Sequence, residues 1–428
     1  MKKSMSFIIA LVMMLGMVFL TAQAGQTVEM RAAWWGDTKR HELYGSIIDE
    51  FMKANPDVKV TGEPVSWTDY WDKLSVQVAG GNAPDFIGMH PQYAADYIGR
   101  DMVEPLDQYI ADGVINLEGW QQGTVNTGVI NGKTYMLAMG VTFTSVFVNE
   151  DLFKEAGLEV PGFDWTYDDL KETGLKARAY FDSVGKPDVW LIGDMSTNIN
   201  SFRYFVRQNG RELYDAEGNI NFTQEDVQNW FAMFKEFRDL GIIPDAATST
   251  EFFNATLEDS LFSRNMIMLT QVPINQLKLY KTTFPDKNVG AIRIPSMAGG
   301  AVGEFPEGAH FAVYAKSSPE AKLAAAKLIN FWLNTPTALA IFKLDQGVPG
   351  NLGLQDSYLA NLDEFQLLIL DFVNKLSAIA TPTIYPPKGA SEIDLLFRTI
   401  GEAVQFDQLS PADGAAQAFS EAVAIRSK

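Results

Sequence analysis

Cysteine is absent from all 428 residues, and histidine occurs only at positions 41, 90 and 310. The first absence excludes disulfides, thiol catalysis, cysteine-based metal sites and lipid attachment at a lipoprotein cysteine. Three scattered histidines show no ligand spacing, so no metal or cofactor site is expected. No Gly-x-Ser-x-Gly or His-Glu-x-x-His run occurs. Basic residues are also scarce: 34 Lys and Arg stand against 53 Asp and Glu, a net charge of -19. That balance speaks against nucleic acid and anionic lipid as partners, because both need Lys/Arg clusters. Internal repeats, low-complexity tracts and Pro/Gly linkers are missing as well.

What is present begins with MKKSMSFIIALVMMLGMVFLTAQAG. Two lysines, an apolar run from Phe7 to Leu20 and Ala22-Gln23-Ala24 make a secretory signal peptide, expected to be cut after Ala24. A permanent anchor fits less well, since the run is short for a bilayer span and small residues follow it. Removing Lys2 and Lys3 leaves 32 basic against 53 acidic residues, a net charge near -21. The expectation is an exported, unanchored periplasmic protein. Hydrophobic content of 47% is that of a folded chain, and roughly 400 mature residues favour two domains or lobes.

The first hundred mature residues alternate. Val28 to Trp35 reads as a strand, and Leu43, Ile47, Ile48, Phe51 and Met52 then recur at helical spacing. Asn55-Pro56-Asp57 stops that helix before a second strand at Val58. Asp85 to Met89 gives a third strand and Tyr93 to Ile98 a third helix. This β-α-β-α-β order predicts an α/β fold with a parallel sheet covered on both faces. Ligands of such sheets bind beyond the carboxyl ends of the strands, where Trp35-Gly36-Asp37, Ser66-Trp67 and Met89-His90-Pro91-Gln92 all fall. A second unit follows, with strands at 142–149, 189–192 and 266–269, a capped helix start at Thr166-Asp169, another at Ser318-Pro319, and two terminal helices from Ser391.

These pieces, in this order, carry a resemblance. They are Trp34-Trp35-Gly36-Asp37, Phe51-Met52-Lys53-Ala54-Asn55-Pro56, Trp67-x-x-Tyr70-x-x-Lys73-Leu74 and Ala79-Gly80-Gly81-Asn82-Ala83-Pro84-Asp85. Asn131-Gly132-Lys133-Thr134-Tyr135, the run from Asn149 to Leu158 and Gly347-Val348-Pro349 continue the series. Together they resemble the family 1 extracellular solute-binding proteins, the sugar-binding subunits of bacterial ABC importers. The resemblance implies two Rossmann-like lobes joined by interlobe hinge strands, the type II periplasmic binding protein fold. It implies an N-terminal lobe of 25–140 and 309–357, a C-terminal lobe of 141–308 and 358–428, a monomer, and an inner-membrane ABC permease as partner. Two departures from maltose-binding protein matter. Leu137-Ala138 replaces a leucine-proline step, and Met89, Gln92 and Tyr93 stand where that protein has a tryptophan, an acid and a base, so maltose is not the expected ligand.

A sugar site needs aromatic faces for the C–H patches of a pyranose and planar polar groups for its hydroxyls. Neighbours on a strand point to opposite faces, so Trp34 and Trp35 are not expected in one core. Trp35, last in its strand, is read as the stacking face and Trp34 as core, with the reverse left open. Trp67 is read as a cleft wall. Asp37 matches an acidic sugar contact of the family, against the alternative of a helix-start carboxylate. His90 and Gln92 end the third strand, and His90 and His310 are either sugar hydrogen-bonding groups or satisfied histidines. Thr142 matches a polar contact in the first crossover strand, with Thr144 on the same face. In the second lobe, Trp190 and Asp194 bracket a strand end, Asn198 lies beyond it, and Gln271 ends another strand. Trp165 and Trp230 are read as structural, and Asp85 as a satisfier of backbone donors.

The expected function is capture of a neutral mono- or oligosaccharide between the lobes, with no chemistry performed. Two alternatives remain at this level. An exported glycosidase or lyase needs only a suitable carboxylate pair, and a sugar sensor that docks on a chemoreceptor has the same sequence features. Gly128 to Thr134 has the wrong spacing for a phosphate loop, and Asp215 to Asn219 lacks the length of a calcium loop.

Overall fold

A computed structural model describes residues 27–427, apart from Asn254, Pro382 and Thr383. The leader expected at residues 1–24 lies outside them. Strands β1 (Val28–Trp35), β2 (Val58–Val65) and β3 (Phe86–Met89) form with the helices Thr38–Ala54, Trp67–Ala79 and Pro91–Ile98 between and after them. A short hairpin of β4 (Val129–Ile130) and β5 (Lys133–Thr134) follows, and then β6 (Met136–Ala138). Its turn residues Asn131 and Gly132 both have positive φ, 52° and 75°, the backbone that Asn-Gly favours in tight hairpins. The remaining strands are β7 (Thr144–Asn149), β8 (Trp190–Ile192), β9 (Ile267–Pro273), β10 (Val289–Ile292) and β11 (His310–Val313).

The first sheet has the order β2-β1-β3-β11-β6. Its β1, β2 and β3 are parallel, in register from Val28↔Val58 to Trp35↔Val65. β11 enters antiparallel from far along the chain, with His310 opposite both Met89 and Ala138. The second sheet, β10-β7-β9-β8, is antiparallel except for β8 with β9. Asp85 has the expected structural role: its carboxylate accepts the Arg31 backbone N–H at 2.8 Å.

The tryptophan pair corrects one expectation. Trp34 packs on Tyr44 of the helix Thr38–Ala54, 5.5 Å between ring centroids. Trp35 packs on the other side against Tyr70 and Trp71 of the helix Trp67–Ala79, at 5.2 and 5.5 Å. The two indoles do point to opposite faces, but helices cover both faces, so both are buried, 3% and 7% exposed. Trp165 and Trp230 are buried too, donating their indole N–H groups to the carbonyls of Arg293 and Ser196 at 2.7 and 2.9 Å.

The chain passes between the two sheets near residues 141, 307 and 348. Val141 and Val348 exchange two backbone hydrogen bonds of 2.8 Å, and Thr142 and Glu307 exchange two of 2.9 Å. The crossings are thus a narrow three-stranded ladder, and glycine makes its closeness possible. Gly347 has φ +107°, and a Cβ there would sit 2.3 Å from the Val141 oxygen; one at Gly308 would sit 2.2 Å from the Gly140 oxygen. Beside the ladder Val141, Phe143, Leu344, Val348, Tyr358 and Ile369 belong to a third apolar cluster, separate from the core of each sheet.

Candidate functional site

Three strand ends define one wall. After β1, β2 and β3 the chain turns into helices whose first N–H groups are capped locally. Asp37 Oδ1 accepts from Arg40 N at 2.8 Å, Ser66 Oγ from Asp69 N at 3.2 Å, and His90 Nδ1 from Gln92 N at 3.3 Å. These caps fix where Trp67 and Tyr93, next along, can stand. Trp67 is 39% exposed. Its ring meets Trp35, Trp71 and His90 edge-on at 5.0, 5.4 and 5.3 Å, and Trp71 stacks on Tyr93 at 4.0 Å. Buried rings therefore brace a single open indole face. Burial pulls His90 down to about 4, so its imidazole is neutral near pH 7 and contributes hydrogen bonding without charge.

The facing wall comes from the other lobe. A hollow of about 220 Å³ is lined by Thr197, Asn198, Asn200, Phe253, Asp394 and Arg398. Asp394 and Arg398 lie on the helix Ala390–Gln405. Burial raises the Tyr93 phenol on the first wall, and the nearby Asp394 carboxylate raises it further. Burial likewise pushes the Asp394 carboxyl up, with Arg398 opposing. Among the described residues lining this hollow, Asp394 is the single carboxylate.

The expected residues distribute unevenly around this cleft. Asn198 lines the hollow, although it also caps the helix Ile199–Gln208 through its side-chain oxygen, while Trp67, His90 and Gln92 stand together on the first wall. Trp35 supports the wall from beneath, and Trp34 is buried on the opposite face of the sheet. Asp37 faces another interlobe hollow, of about 340 Å³, with Arg40, Asn275 and Asp345. There Thr142 donates to Asn275 at 3.1 Å, Asn275 to the Asp345 carbonyl at 3.2 Å, and Arg40 to the Asp345 carboxylate at 2.7 Å. Thr144 is committed as well: it donates to Glu307 at 3.1 Å and lies 2.7 Å from the Tyr204 hydroxyl.

Three expectations in the second lobe and the crossovers are corrected. Asp194 has a fully buried side chain that pairs with Arg238 at 2.7 Å and accepts the Ser196 N–H, so its oxygens are taken by the fold. Trp190 starts β8 and packs on the third apolar cluster, away from the strand's carboxyl end. His310 is 2% exposed, donating from Nδ1 to the Gly308 carbonyl at 3.1 Å with Thr127 Oγ1 2.8 Å from Nε2. Gln271 is half-buried and donates to Ser201 at 2.8 Å.

Sequence reasoning did not single out Trp71, Phe253, Asn200, Asp394 or Arg398. Asp394 and Arg398 read in sequence as an ordinary i,i+4 pair on a solvated helix face, so no local signal marked them. The arrangement offers stacking, hydrogen bonds to hydroxyls and one carboxylate beside one guanidinium. No group of three or more His, Cys, Asp or Glu among the described residues is placed to hold a metal ion, and no helix among them is long and apolar enough to cross a membrane.

Comparison with known proteins agrees with this architecture. The sequence family described as bacterial extracellular solute-binding protein matches residues 46–365. A putative binding protein of Brucella abortus is 24% identical over 295 residues, 67% of each chain. The arabinooligosaccharide-binding protein of Bacillus subtilis is 26% identical over 234 residues, 51% of each chain. Among solved structures, a periplasmic solute-binding protein of Pectobacterium atrosepticum superposes with a TM-score of 0.80 at 22% identity, covering 93% of this chain and 98% of its own.

Proposed function

This chain belongs to the bacterial extracellular solute-binding proteins, and we propose that its solute is a neutral sugar, taken between the lobes and passed to an inner-membrane ABC permease. Two observations carry the reading together: the exposed Trp67 indole on the first wall, and a hollow of two asparagines, two hydroxyls, Asp394 and Arg398 on the other lobe. Covering roughly 100 Å² of apolar sugar surface is worth about 2.5 kcal/mol. Each charge-assisted hydrogen bond adds about 1.5–3 kcal/mol. One stacking face and two or three such bonds support micromolar affinity after association costs.

Hinge closure around ligand is the established behaviour of periplasmic binding proteins, and the glycine-packed ladder is where this chain would bend. We assign 25–140 with 309–357 to one lobe and 141–308 with 358–428 to the other. The leader would be cleaved after Ala24, releasing an unanchored periplasmic monomer. A relative named for arabinooligosaccharide binding supports a sugar over a peptide. A single carboxylate in the hollow supports binding without turnover, since glycosidases place two across the bond.

Thermal shift against a sugar panel tests the reading. A ligand at 100 times its Kd that binds only the folded state stabilises it by about 2.7 kcal/mol, a rise of roughly 5–10 °C for lobes of this size. A neutral mono- or oligosaccharide should produce it. No shift from any sugar, beside a clear shift from a peptide or inorganic anion, would overturn the sugar assignment. Trp67→Ala should weaken binding about 10- to 100-fold through lost stacking area and cost less stability than emptying a buried tryptophan site, because the residue is 39% exposed. Unaltered calorimetric affinity in that variant would remove Trp67 from the site.

A further inference from the structure

Asp394 and Arg398 stand one helical turn apart, acid before base, the order that favours an i,i+4 ion pair. In the same order Glu172 pairs with Lys176 at 2.6 Å and Asp371 with Lys375 at 2.7 Å, whereas Lys53 and Lys73 pair with Glu50 and Glu63 rather than with the acids four residues before them. Asp394 and Arg398 stay apart. Among the described residues neither makes an ion pair or a hydrogen bond, although both are half-buried and both line the same hollow. The Arg398 guanidinium lies over the Phe253 ring, 5.5 Å from its centroid, a position that holds its planar fork without using its donors. Asp394 is near enough to Tyr93 of the first wall for its charge to raise that phenol.

Two opposite charges kept unpaired in a partly desolvated cleft are costly unless a ligand completes them. A neutral sugar does so: ring hydroxyls donate to a carboxylate and accept from a guanidinium, and both charges remain balanced. A sugar acid would satisfy Arg398 but bring a second carboxylate beside Asp394. We propose that Asp394 and Arg398 select uncharged sugars, Arg398 gripping hydroxyl oxygens while Asp394 accepts their protons and turns uronic acids away. The inference rests on the reading of this cleft as a sugar site, and deepens it.

Calorimetry with the full mature protein decides it, using neutral gluco-, galacto-, manno-, xylo- and arabino-saccharides and the uronic acids matching the hexoses. Wild type should bind a neutral hexose-based member at least about 100-fold tighter than its uronate, the scale of a like-charge clash of several kcal/mol. Asp394→Asn should compress that ratio to about 10-fold or less, because Arg398 is then free to take the uronate carboxylate bidentately. Arg398→Gln should weaken the neutral sugar about 10- to 100-fold and leave the discrimination in place. Neither side chain makes a hydrogen bond or close ion pair to lose, and the Arg398 contact with Phe253 is partly exposed, so both variants should melt within a few degrees of wild type. Neutral-sugar binding with an unchanged ratio in Asp394→Asn would overturn the selector and leave the sugar reading standing. Absence of any sugar binding in wild type would overturn both.

Discussion

Trp230→Ala should lower the stability of the second lobe by about 3–5 kcal/mol, the range for emptying a buried tryptophan site. The indole is 1% exposed and packs against Phe234, Phe205 and Phe202 at 4.5, 5.5 and 6.0 Å. Its N–H satisfies the Ser196 carbonyl, and the Ser196 hydroxyl accepts from Gln405 at 3.0 Å. Trp230 therefore fills the core and also pins the 194–198 loop that leads into the cleft hollow. Trp230→Phe should keep most of the packing and lose only the N–H, a cost of about 1–3 kcal/mol for an orphaned buried carbonyl. Urea unfolding separates the cases. A loss under about 1 kcal/mol in Trp230→Ala would mean that the site collapses and the core assignment fails.

Much of the architecture is legible because it is local. β1 runs from Val28 to Trp35 as its pattern predicts, and the Thr166/Asp169 capping box and the Ser318 cap are present. Each depends on residues within one or two turns of chain. Elements missing from the sequence reading depend on distant partners. β11 is four residues long and joins the first sheet through pairing with β3 and β6, more than 170 positions earlier. β10 is a similar case, and the third apolar cluster assembles from residues 141 to 376. No periodicity in a single window encodes such pairings.

The site was legible in part, for a related reason. The strand ends of the first sheet place Trp67 beside His90, and Asn198 lines the hollow of the proposed site. Trp35 misled because alternation fixes which face a side chain takes, while cover on that face is decided by Tyr70 and Trp71. Asp194 was a plausible ligand group until Arg238, 44 residues later, claimed it at 2.7 Å. Asp394 and Arg398 carried the opposite problem: a pair that looks self-satisfied in sequence remains open in the fold.

The largest pH effect should come from two histidines, His90 on the first wall and the buried His310. Burial pulls His90 down to about 4 and His310 down to about 3, with His90 also lowering His310. Unfolded histidine titrates near 6.5, so on acidification the unfolded chain takes up both protons first. Their contribution to stability is therefore fully present above pH 6.5 and is lost as pH falls from there toward 4. At about 1.4 kcal/mol per pH unit for each group, the pair costs on the order of 5 kcal/mol between pH 7 and 4.5, less whatever solvent contact His90 retains. Glu307, Asp345 and Asp394 oppose this, because burial raises their carboxyl groups and the folded state then binds protons more readily. A difference measurement isolates the histidine share. His310→Gln keeps an amide donor for the Gly308 carbonyl but cannot titrate, so it should lose about 2–3 kcal/mol less than wild type over that interval. Urea midpoints at pH 7 and 4.5 for both proteins give the answer. Parallel losses would mean that the buried imidazole at 310 accepts its proton inside the fold, with Gly308 and Thr127 both taking hydrogen bonds from it, and the expected acid lability would not exist.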